Sequence, residues 1–241
     1  MNNSTYNRIL IKLSGESLFN FDGHANVGSH LIHIVQQIRD AVQMGSQVAI
    51  VLGGGNICRG RNMVKSGAKR VTADNVGMLA TIINGLIFRD ILDKEQIKTK
   101  LYSAFQVGSM VSFFEPRQAI DDLERGYVVI CCGGTGNPFV STDTAASLRA
   151  IQLEVGAIFK LTNVQGVYNK DPNQHEDAVF LPQCTFDQVI ADQLKVMDTE
   201  AFRHCQMFNI PIHIASFQES NIILRLINHE NIGTKVSSKE E

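Results

Sequence analysis

The stretch VAIVLGGGNICRG, residues 48–60, joins a run of apolar and β-branched residues to three consecutive glycines. The apolar run predicts a buried strand, and Gly53, Gly54 and Gly55 follow where that strand ends. Glycine has no Cβ atom, so a ligand can approach its backbone N–H group closely. Because Arg59 and Arg61 add positive charge nearby, the stretch predicts a strand followed by an anion-binding loop.

The same kind of apolar run recurs along the chain. The other predicted strands are RILIKL (8–13), KLYSAF (100–105), YVVICC (127–132), GAIFKL (156–161) and IPIHIA (210–215). Segments with helical spacing lie between or after them, at 29–44, 73–92, 116–125, 142–155, 185–208 and 219–228. Strands that alternate with helices predict a three-layer α/β/α sandwich with a mostly parallel central sheet. Since no linker interrupts the pattern, we expect one domain over residues 1–241.

Two local patterns give more detailed expectations. In the helical segment 73–92, an apolar stripe predicts the buried face; it consists of Val76, Leu79, Ile83, Leu86 and Ile91. The polar tail TKVSSKEE, residues 234–241, predicts a frayed end.

The composition argues against several classes of protein. The chain has 241 residues, 44 % hydrophobic content and a net charge of −2 without a basic stripe, so a nucleic-acid-binding surface is not expected. The N-terminal residues lack the pattern of a secretory signal, and no apolar run approaches the roughly 18 residues of a membrane span. Five cysteines without C-x-x-C spacing favour reduced thiols over a zinc site. Together these features predict a cytoplasmic protein.

Glycine- and hydroxyl-rich segments follow several of the predicted strands. They are SGES (14–17), GGGNICRG (53–60), GGTGNPFVSTD (133–143) and TNVQGVYNKDP (162–172). Ligands of parallel sheets bind beyond the carboxyl ends of the strands, where these segments would meet. The dinucleotide fingerprint fails because Cys58 occupies its third glycine position, and the chain has no Gly-Lys pair for a P-loop. A phosphate site would therefore use another arrangement.

Two lysines lie near the ends of apolar strands. Lys12 follows Ile11 in the first strand, and Lys160 follows Phe159 in a later one. A charge in such a position is unfavourable without a partner, so we expect both ammonium groups to meet phosphate. The alternative is an edge-strand lysine that reaches solvent. Asp143 begins a predicted helix, where it can act as the N-cap, a role compatible with a second one.

Six motifs together resemble those of the bacterial uridylate (UMP) kinases, a branch of the amino acid kinase superfamily. They are KLSGE (12–16), GGGNICRG (53–60), DNVGMLATIINGL (74–86), GGTGNPFVSTDTAA (133–146), VYNKDP (167–172) and LKVMDTEAF (194–202). The resemblance implies the reversible phosphorylation of UMP to UDP by ATP, in pyrimidine nucleotide (CTP) biosynthesis. It also implies Mg²⁺ delivered with ATP and a homohexamer. The N-terminal part would bind the acceptor, and roughly the C-terminal third would bind ATP.

The resemblance also implies a role for individual residues. The catalytic residues would be Lys12, Lys160, Asp143 and Asp198, with the two aspartates orienting the lysines. ATP would contact Lys12, Ser14, Gly15, Gly55, Arg59, Thr162, Asn163, Tyr168 and Asp171. UMP would contact Gly54, Asp74, Thr135, Gly136, Asn137, Pro138, Phe139, Val140, Ser141 and Thr142. No protein-held metal is expected. Asn163 and Gln165 stand where the family often has Lys and Asp.

Two alternatives remain open at this point. One is a related kinase that phosphorylates a carboxylate or a carbamate. The other is a nucleotide-sensing or storage protein on the same fold. The chemistry favours phosphate as the acceptor, since it is already mostly ionised near neutral pH and needs no general base. The sequence offers no convincing His- or Asp-based activator of a hydroxyl group.

Overall fold

The structure is a computed structural model that describes residues 5–15, 19–21, 25–27, 29–170, 172, 174–194 and 196–239. Its strands are β1 (Arg8–Leu13), β2 (Phe19–Phe21), β3 (Ala25–Val27), β4 (Gln47–Leu52), β5 (Thr99–Ser103), β6 (Ser112–Phe113), β7 (Val128–Cys132), β8 (Ala157–Thr162), β9 (Val167–Tyr168), β10 (Phe180–Leu181), β11 (Gln183–Thr185), β12 (Ile212–Ser216) and β13 (Thr234–Ser237). Its helices are α1 (Ser29–Gln43), α2 (Gly60–Lys65), α3 (Arg70–Lys94), α4 (Pro116–Glu124), α5 (Thr142–Gln152), α6 (Phe186–Ala191), α7 (Thr199–Met207) and α8 (Ile222–Ile227).

The main sheet places β1 at its centre. Within the described residues it has nine strands, in the order β11-β13-β12-β8-β1-β4-β7-β5-β6. The strands from β12 to β6 in this order are parallel, whereas β13 runs antiparallel to β12 and parallel to β11. All six predicted strands are present, with ends that differ by no more than two residues. The predicted mostly parallel sheet is therefore confirmed.

Helices cover both faces of this sheet. Ile9 and Ile11 of β1 pack into one core with residues of α1, α3 and α8, whereas Leu10 packs into a second core with α4, α5, α6 and α7. The neighbouring cysteines divide in the same way, Cys132 to the first core and Cys131 to the second. Because successive side chains of a strand alternate between faces, β1 contributes to both cores. The predicted three-layer sandwich is confirmed.

Two predictions about the C-terminal part were wrong. The segment 185–208 is not one helix: α6 ends at Ala191, Gln193 has a left-handed φ of 51°, and α7 begins only at Thr199. A left-handed residue ends a helix, so the chain turns between the two. The tail is not frayed at 234–237, because these residues form β13 between β12 and β11. That pairing depends on strands distant in sequence, which local polarity does not reveal.

The buried face of α3 also differs from the predicted stripe. Leu79 and Ile83 are 48 % and 45 % exposed. The residues that α3 does bury are Ala73, Ala80, Thr81, Ile82, Asn84, Gly85, Phe88 and Leu92. The helix is apolar on most sides, so periodicity alone does not select its inner face. By length and composition α3 is also the one helix among the described residues that could cross a membrane, but it packs against the sheet as a core helix.

The two glycines within α3 have opposite surroundings. A Cβ atom on Gly85 would overlap Cys132 Sγ and lie 2.9 Å from Leu101 Cδ1, whereas one on Gly77 would meet nothing within 4 Å. We expect Gly85→Ala to lower the free energy of unfolding by about 1–3 kcal/mol through overpacking. Gly77→Ala should raise it by about 0.5–1 kcal/mol, because alanine favours a helix interior. Urea unfolding of both variants tests this pair, and equal effects would contradict the packing described.

Candidate active site

Two lysines meet one carboxylate at the carboxyl edge of the sheet. Lys12 of β1 and Lys160 of β8 are register partners on adjacent parallel strands, so their side chains leave the same face side by side. The Nζ atom of Lys12 lies 2.7 Å from Asp143 Oδ1, and that of Lys160 lies 2.7 Å from Asp143 Oδ2. The three side chains are only 11 %, 12 % and 15 % exposed. Both lysines therefore reach one point, where contact with phosphate stays a prediction. The edge-strand alternative is wrong because β1 is central.

Asp143 is held over the sheet by the start of α5. The N-cap of this helix is Ser141, whose Oγ atom accepts hydrogen bonds from the backbone N–H groups of Asp143 and Thr144 at 3.1 and 3.2 Å. The alternative that Asp143 itself caps the helix is therefore wrong. Since Ser141 satisfies these backbone donors, both carboxylate oxygens of Asp143 are left for the lysines.

Burial and charge act in opposite directions on this cluster. Burial raises the pKa of Asp143, but the ammonium groups of Lys12 and Lys160 outweigh it and hold that pKa below its usual value. Burial, followed by the like charge of Lys12, lowers the pKa of Lys160 to about 8. At neutral pH the cluster therefore holds two positive charges and one negative charge. This net positive charge in a poorly hydrated place is suited to an anionic ligand.

Asp198 supports the cluster from the start of α7, a helix that packs against α5. It is the N-cap of α7, and its Oδ2 atom accepts hydrogen bonds from the hydroxyl of Ser141 and from Thr144 Oγ1, the latter at 3.4 Å. Burial and then the charge of Asp143 raise its pKa. Among the described residues, the carboxylate in direct contact with the lysines is that of Asp143. Asp198 holds Ser141, the residue that caps α5, and its negative charge partly offsets the lowering of the Lys160 pKa. That Asp198 orients the lysines stays a prediction.

The two N-terminal glycine turns pack against one another. The N–H group of Gly53 donates to the carbonyl of Leu13 at 2.9 Å, and a Cβ atom on Gly15 would lie 2.6 Å from the carbonyl oxygen of Gly53. A Cβ atom on Gly54 would lie 2.8 Å from the carbonyl oxygen of Gly77 in α3. Glycine is thus required at these positions by packing as well as by any ligand. Two further predicted ATP residues, Ser14 and Gly55, are partly exposed on these turns.

Arg59 lies just beyond the triple-glycine turn, where it is the exposed N-cap of α2. The structure thus keeps this guanidinium at the surface, beside the loops and not inside the lysine cluster.

The loop after β7 contains the sequence GTGNPF, residues 134–139, and is called the GTGNPF loop. It lies against the N-terminal part of α3. Both carboxylate oxygens of Asp74 accept from Arg70 Nε, at 2.9 and 2.8 Å, and Asp74 Oδ2 also accepts from the N–H group of Phe139 at 2.9 Å. The structure therefore brings Asp74 to the loop that the resemblance to the family assigns to the same ligand. The loop positions divide into partly buried Thr135, Gly136, Pro138, Ser141 and Thr142, and exposed Asn137, Phe139 and Val140.

A cavity of about 470 Å³ opens on the other side of the cluster. It is lined by Val164, Gly166, Tyr168, Asn169, Lys170, Pro172, Gln174, Asp192, Gln193, Leu194 and Val196. The carbonyl of Val196 accepts a hydrogen bond from Lys160 Nζ, which joins the cavity to the cluster. Two larger cavities, of about 570 and 770 Å³, are lined by none of the predicted site residues that the structure describes.

Four of the predicted ATP residues are close in sequence to the residues that line this cavity. Tyr168 lines it, and the Tyr168 hydroxyl donates to Gln165 Oε1 at 3.3 Å. Thr162 ends β8 and Asn163 follows it, and neither lines the cavity. Asp171 lies outside the described residues.

Sequence reasoning missed three polar residues beside the glycine turns. The hydroxyl of Thr81 accepts a hydrogen bond from the N–H group of Gly133 at 2.8 Å. The side chains of Asn84 and Asn56 are hydrogen-bonded to each other. The available signal was the presence of Thr81 and Asn84 among the apolar residues of α3. A buried polar side chain needs a partner, so such positions mark contacts with something polar.

Comparison with known proteins identifies the family of the chain. A sequence model of the amino acid kinase family matches residues 7–216. The chain belongs to the amino acid kinase family. It is similar to a uridylate kinase of Xanthomonas oryzae pv. oryzae, with 43 % identity over 240 residues that cover 99 % of this chain and 100 % of that protein. This identity over the full length places it in the uridylate kinase branch of the family.

Solved structures of the family show the same fold. The crystal structure of UMP kinase from Bacillus anthracis has a TM-score of 0.92 and 33 % identity and covers 98 % of each chain. The crystal structure of UMP kinase from Ureaplasma parvum has a TM-score of 0.87 and 34 % identity and covers 96 % of this chain and 99 % of that one. The predicted amino acid kinase-like fold is therefore confirmed.

Replacement of the central carboxylate tests the electrostatic description. Asp143→Asn leaves two neighbouring ammonium groups without a counter-charge, so we expect the free energy of unfolding to fall by about 3 kcal/mol. Inorganic phosphate binds only the folded state and should therefore stabilise it. The variant should gain more stability than the wild type, because its two ammonium groups lack a counter-charge. Chemical denaturation at pH 7, with and without phosphate, measures both effects.

The matched control is Asp177→Asn, which removes an ion pair between Lys170 and a carboxylate side chain that is 78 % exposed. An exposed pair of this kind should change stability by no more than about 0.5 kcal/mol. An Asp143→Asn variant as stable as the control would contradict the description of the cluster.

Proposed function

We propose that this chain catalyses the reversible transfer of the γ-phosphoryl group of ATP to UMP, which yields ADP and UDP for pyrimidine nucleotide (CTP) biosynthesis. The observation that carries the proposal is the buried Lys12–Asp143–Lys160 cluster beside the glycine turns. The names of the similar proteins, uridylate kinase and UMP kinase, support the choice of acceptor.

The cluster is suited to bringing two anions together. Phosphoryl transfer passes through a loose, in-line transition state with negative charge on its equatorial oxygens. Lys12 and Lys160 place two ammonium groups at one point, and fixed groups of this kind stabilise such charge best. The acceptor phosphate is itself the nucleophile and is mostly ionised near neutral pH, so no side chain has to remove a proton.

The acceptor and donor assignments follow the two sides of the cluster. UMP would bind on the N-terminal side, with its phosphate at Gly54 and its ribose at Asp74, which would exchange its present hydrogen bonds for the hydroxyl groups. ATP would bind on the C-terminal side, with its phosphates at Lys12, Ser14 and Gly15 and its nucleoside in the cavity that Tyr168 lines. Asp143 keeps the two ammonium groups in place until the phosphates arrive.

Mg²⁺ enters this proposal as part of the ATP substrate. Among the described residues, no group of three or more His, Cys, Asp or Glu side chains surrounds a common point that could hold a metal ion. Both oxygens of Asp143, the acidic side chain at the centre of the cluster, are in contact with ammonium groups. These residues do not fit a protein-held ion.

We extend the proposal to the assembly and its location. The exposed apolar side chains of α3, among them Val71, Leu79 and Ile83, support contact with other copies of the chain. We propose a homohexamer, which the resemblance to the family supports. A nucleotide kinase of this type, with five free cysteines, fits the cytoplasm, and neither nucleic acid nor a membrane has a role in the proposal.

An assay of ADP formation over a panel of acceptors tests the proposed function. UMP should support turnover, and CMP, acetylglutamate and carbamate should support far less. Lys12→Ala should lower turnover by about 10²-fold or more, since it removes a preorganised charge at the transferred group. Lys98→Ala is the control, because Lys98 is exposed at the opposite edge of the sheet. Turnover with acetylglutamate but not UMP would favour the related carboxylate kinase, and ATP binding without turnover would favour a sensor.

The pKa of Lys160 predicts a pH dependence of ATP binding. The free protein holds this ammonium group with a pKa of about 8, below the usual lysine value of 10.5. Only the protonated form attracts phosphate, so the affinity for ATP should fall as the pH rises through about 8. Lys160→Arg keeps its charge over this range and should remove the decline. Equilibrium titration with MgATP from pH 6.5 to about 9.5 measures the affinity of both proteins for ATP. The same decline in the arginine variant would refute the assignment of the pH dependence to Lys160.

A further inference from the structure

Two buried polar side chains on α3 hold two different loops of the site. Thr81 and Asn84 are 3 % and 0 % exposed. They are three residues apart, so they lie on the same face of the helix. Neither belongs to the lysine cluster, and each directs its polar atoms at the backbone or side chain of a loop.

Asn84 holds the triple-glycine turn. Its Nδ2 atom donates to the carbonyl of Gly53 and to Asn56 Oδ1, both at 2.7 Å. Its Oδ1 atom accepts from Asn56 Nδ2 at 3.0 Å. The two amides therefore form a reciprocal pair, and both N–H groups of Asn84 are used.

Thr81 holds the loop that follows β7. Its hydroxyl accepts from the N–H group of Gly133 at 2.8 Å and donates to the carbonyl of Met78 at 2.7 Å. The second bond fixes the hydrogen of the hydroxyl, so its oxygen lone pair is directed at Gly133. This glycine has a φ of 74°, and the loop continues from it into Thr135 and Gly136.

The same turn of α3 packs directly on Gly54. A Cβ atom on Gly54 would lie 2.9 Å from Ala80 Cβ and 3.1 Å from the backbone nitrogen of Thr81. This contact leaves no room for the triple-glycine turn to shift towards α3. The helix therefore contacts the triple-glycine turn at Gly54 and through Asn84, and it contacts the loop after β7 through Thr81.

We propose that Thr81 and Asn84 are positioning residues that set the separation between the triple-glycine turn and the loop after β7, and so the geometry of the acceptor phosphate. The inference rests on the proposed function, because those two loops are assigned to UMP. Small errors in the position of a reacting group have large effects on rate. Each residue acts through the loop it holds and touches no nucleotide itself.

If Thr81 had only a structural role, its loss would affect UMP no more than the loss of a comparable buried hydroxyl elsewhere in the fold. Thr234 has the same pattern of bonds on the ATP side: its hydroxyl accepts from the N–H group of Val167 at 2.8 Å and donates to the carbonyl of Leu181 at 2.5 Å. It is also fully buried. Thr234→Val therefore removes a comparable hydroxyl without touching either acceptor loop, which makes it the matched control.

The experiment compares Thr81→Val, Thr81→Ser and Thr234→Val in steady-state kinetics, equilibrium UMP binding and chemical unfolding. We expect Thr81→Val to lower kcat/KM for UMP by about tenfold, the effect of one hydrogen bond of ordinary net strength. The KM for ATP should stay within about twofold, a change smaller than one such bond produces. Thr81→Ser keeps the hydroxyl and should restore the UMP parameters, and Thr234→Val should leave them unchanged.

The opposite results would overturn the inference. Wild-type values of kcat/KM for UMP in Thr81→Val would do so, as would equal losses for UMP and ATP. If Thr81→Val does not fold, Asn56→Ala provides the same test, since it removes the Asn84 contact from a partly exposed loop position. A wild-type protein that does not phosphorylate UMP would instead refute the proposed function, and equilibrium binding of UMP to the variants would still test the positioning role.

Discussion

The contact of Lys12 and Lys160 with one carboxylate is the constraint on which the rest of the site depends. The two residues are register partners on adjacent parallel strands, whose backbones lie about 4.8 Å apart. Two buried ammonium groups so close together need a negative charge between them, and Asp143 supplies it. This fixes the start of α5 above the carboxyl edge of the sheet. Ser141 caps that start and Asp198 holds Ser141, so α7 is positioned by the same requirement.

The remaining elements divide the space around the cluster into two sides. β4, β7 and α3 surround the side with the triple-glycine turn and the GTGNPF loop, and Asp74 faces that loop. The segments around β9 and between α6 and α7 enclose a cavity on the other side, which meets the cluster at Val196. A donor and an acceptor could then approach the two lysines from opposite directions. In-line transfer requires such an approach.

The sequence predicted the parts of this structure that arise from local patterns. Apolar runs identified the main strands. The charges near the ends of two of these runs identified both lysines, and the positions just after the runs identified the glycine turns. The contact of Asp198 with Ser141 was not foreseen, because it joins helices whose packing no local pattern records. The inner face of α3 was misjudged because the helix is apolar on most sides, and β13 was missed because its partners are distant in sequence. Apart from the helix predicted over 185–208, which the left-handed Gln193 interrupts, the errors concern tertiary contacts, and most predicted elements were right.

The energetics of the cluster favour a role in binding over a role in stability. A buried ion pair seldom stabilises a fold more than well-packed apolar side chains of similar size. This cluster contains an excess cation as well, and burial lowers the pKa of Lys160 to about 8, so the folded protein holds that charge against a free-energy penalty. An arriving polyphosphate removes the penalty, because it neutralises the excess charge. The free energy released on neutralisation contributes to binding the anion, and it contributes most where negative charge accumulates at the transferred group.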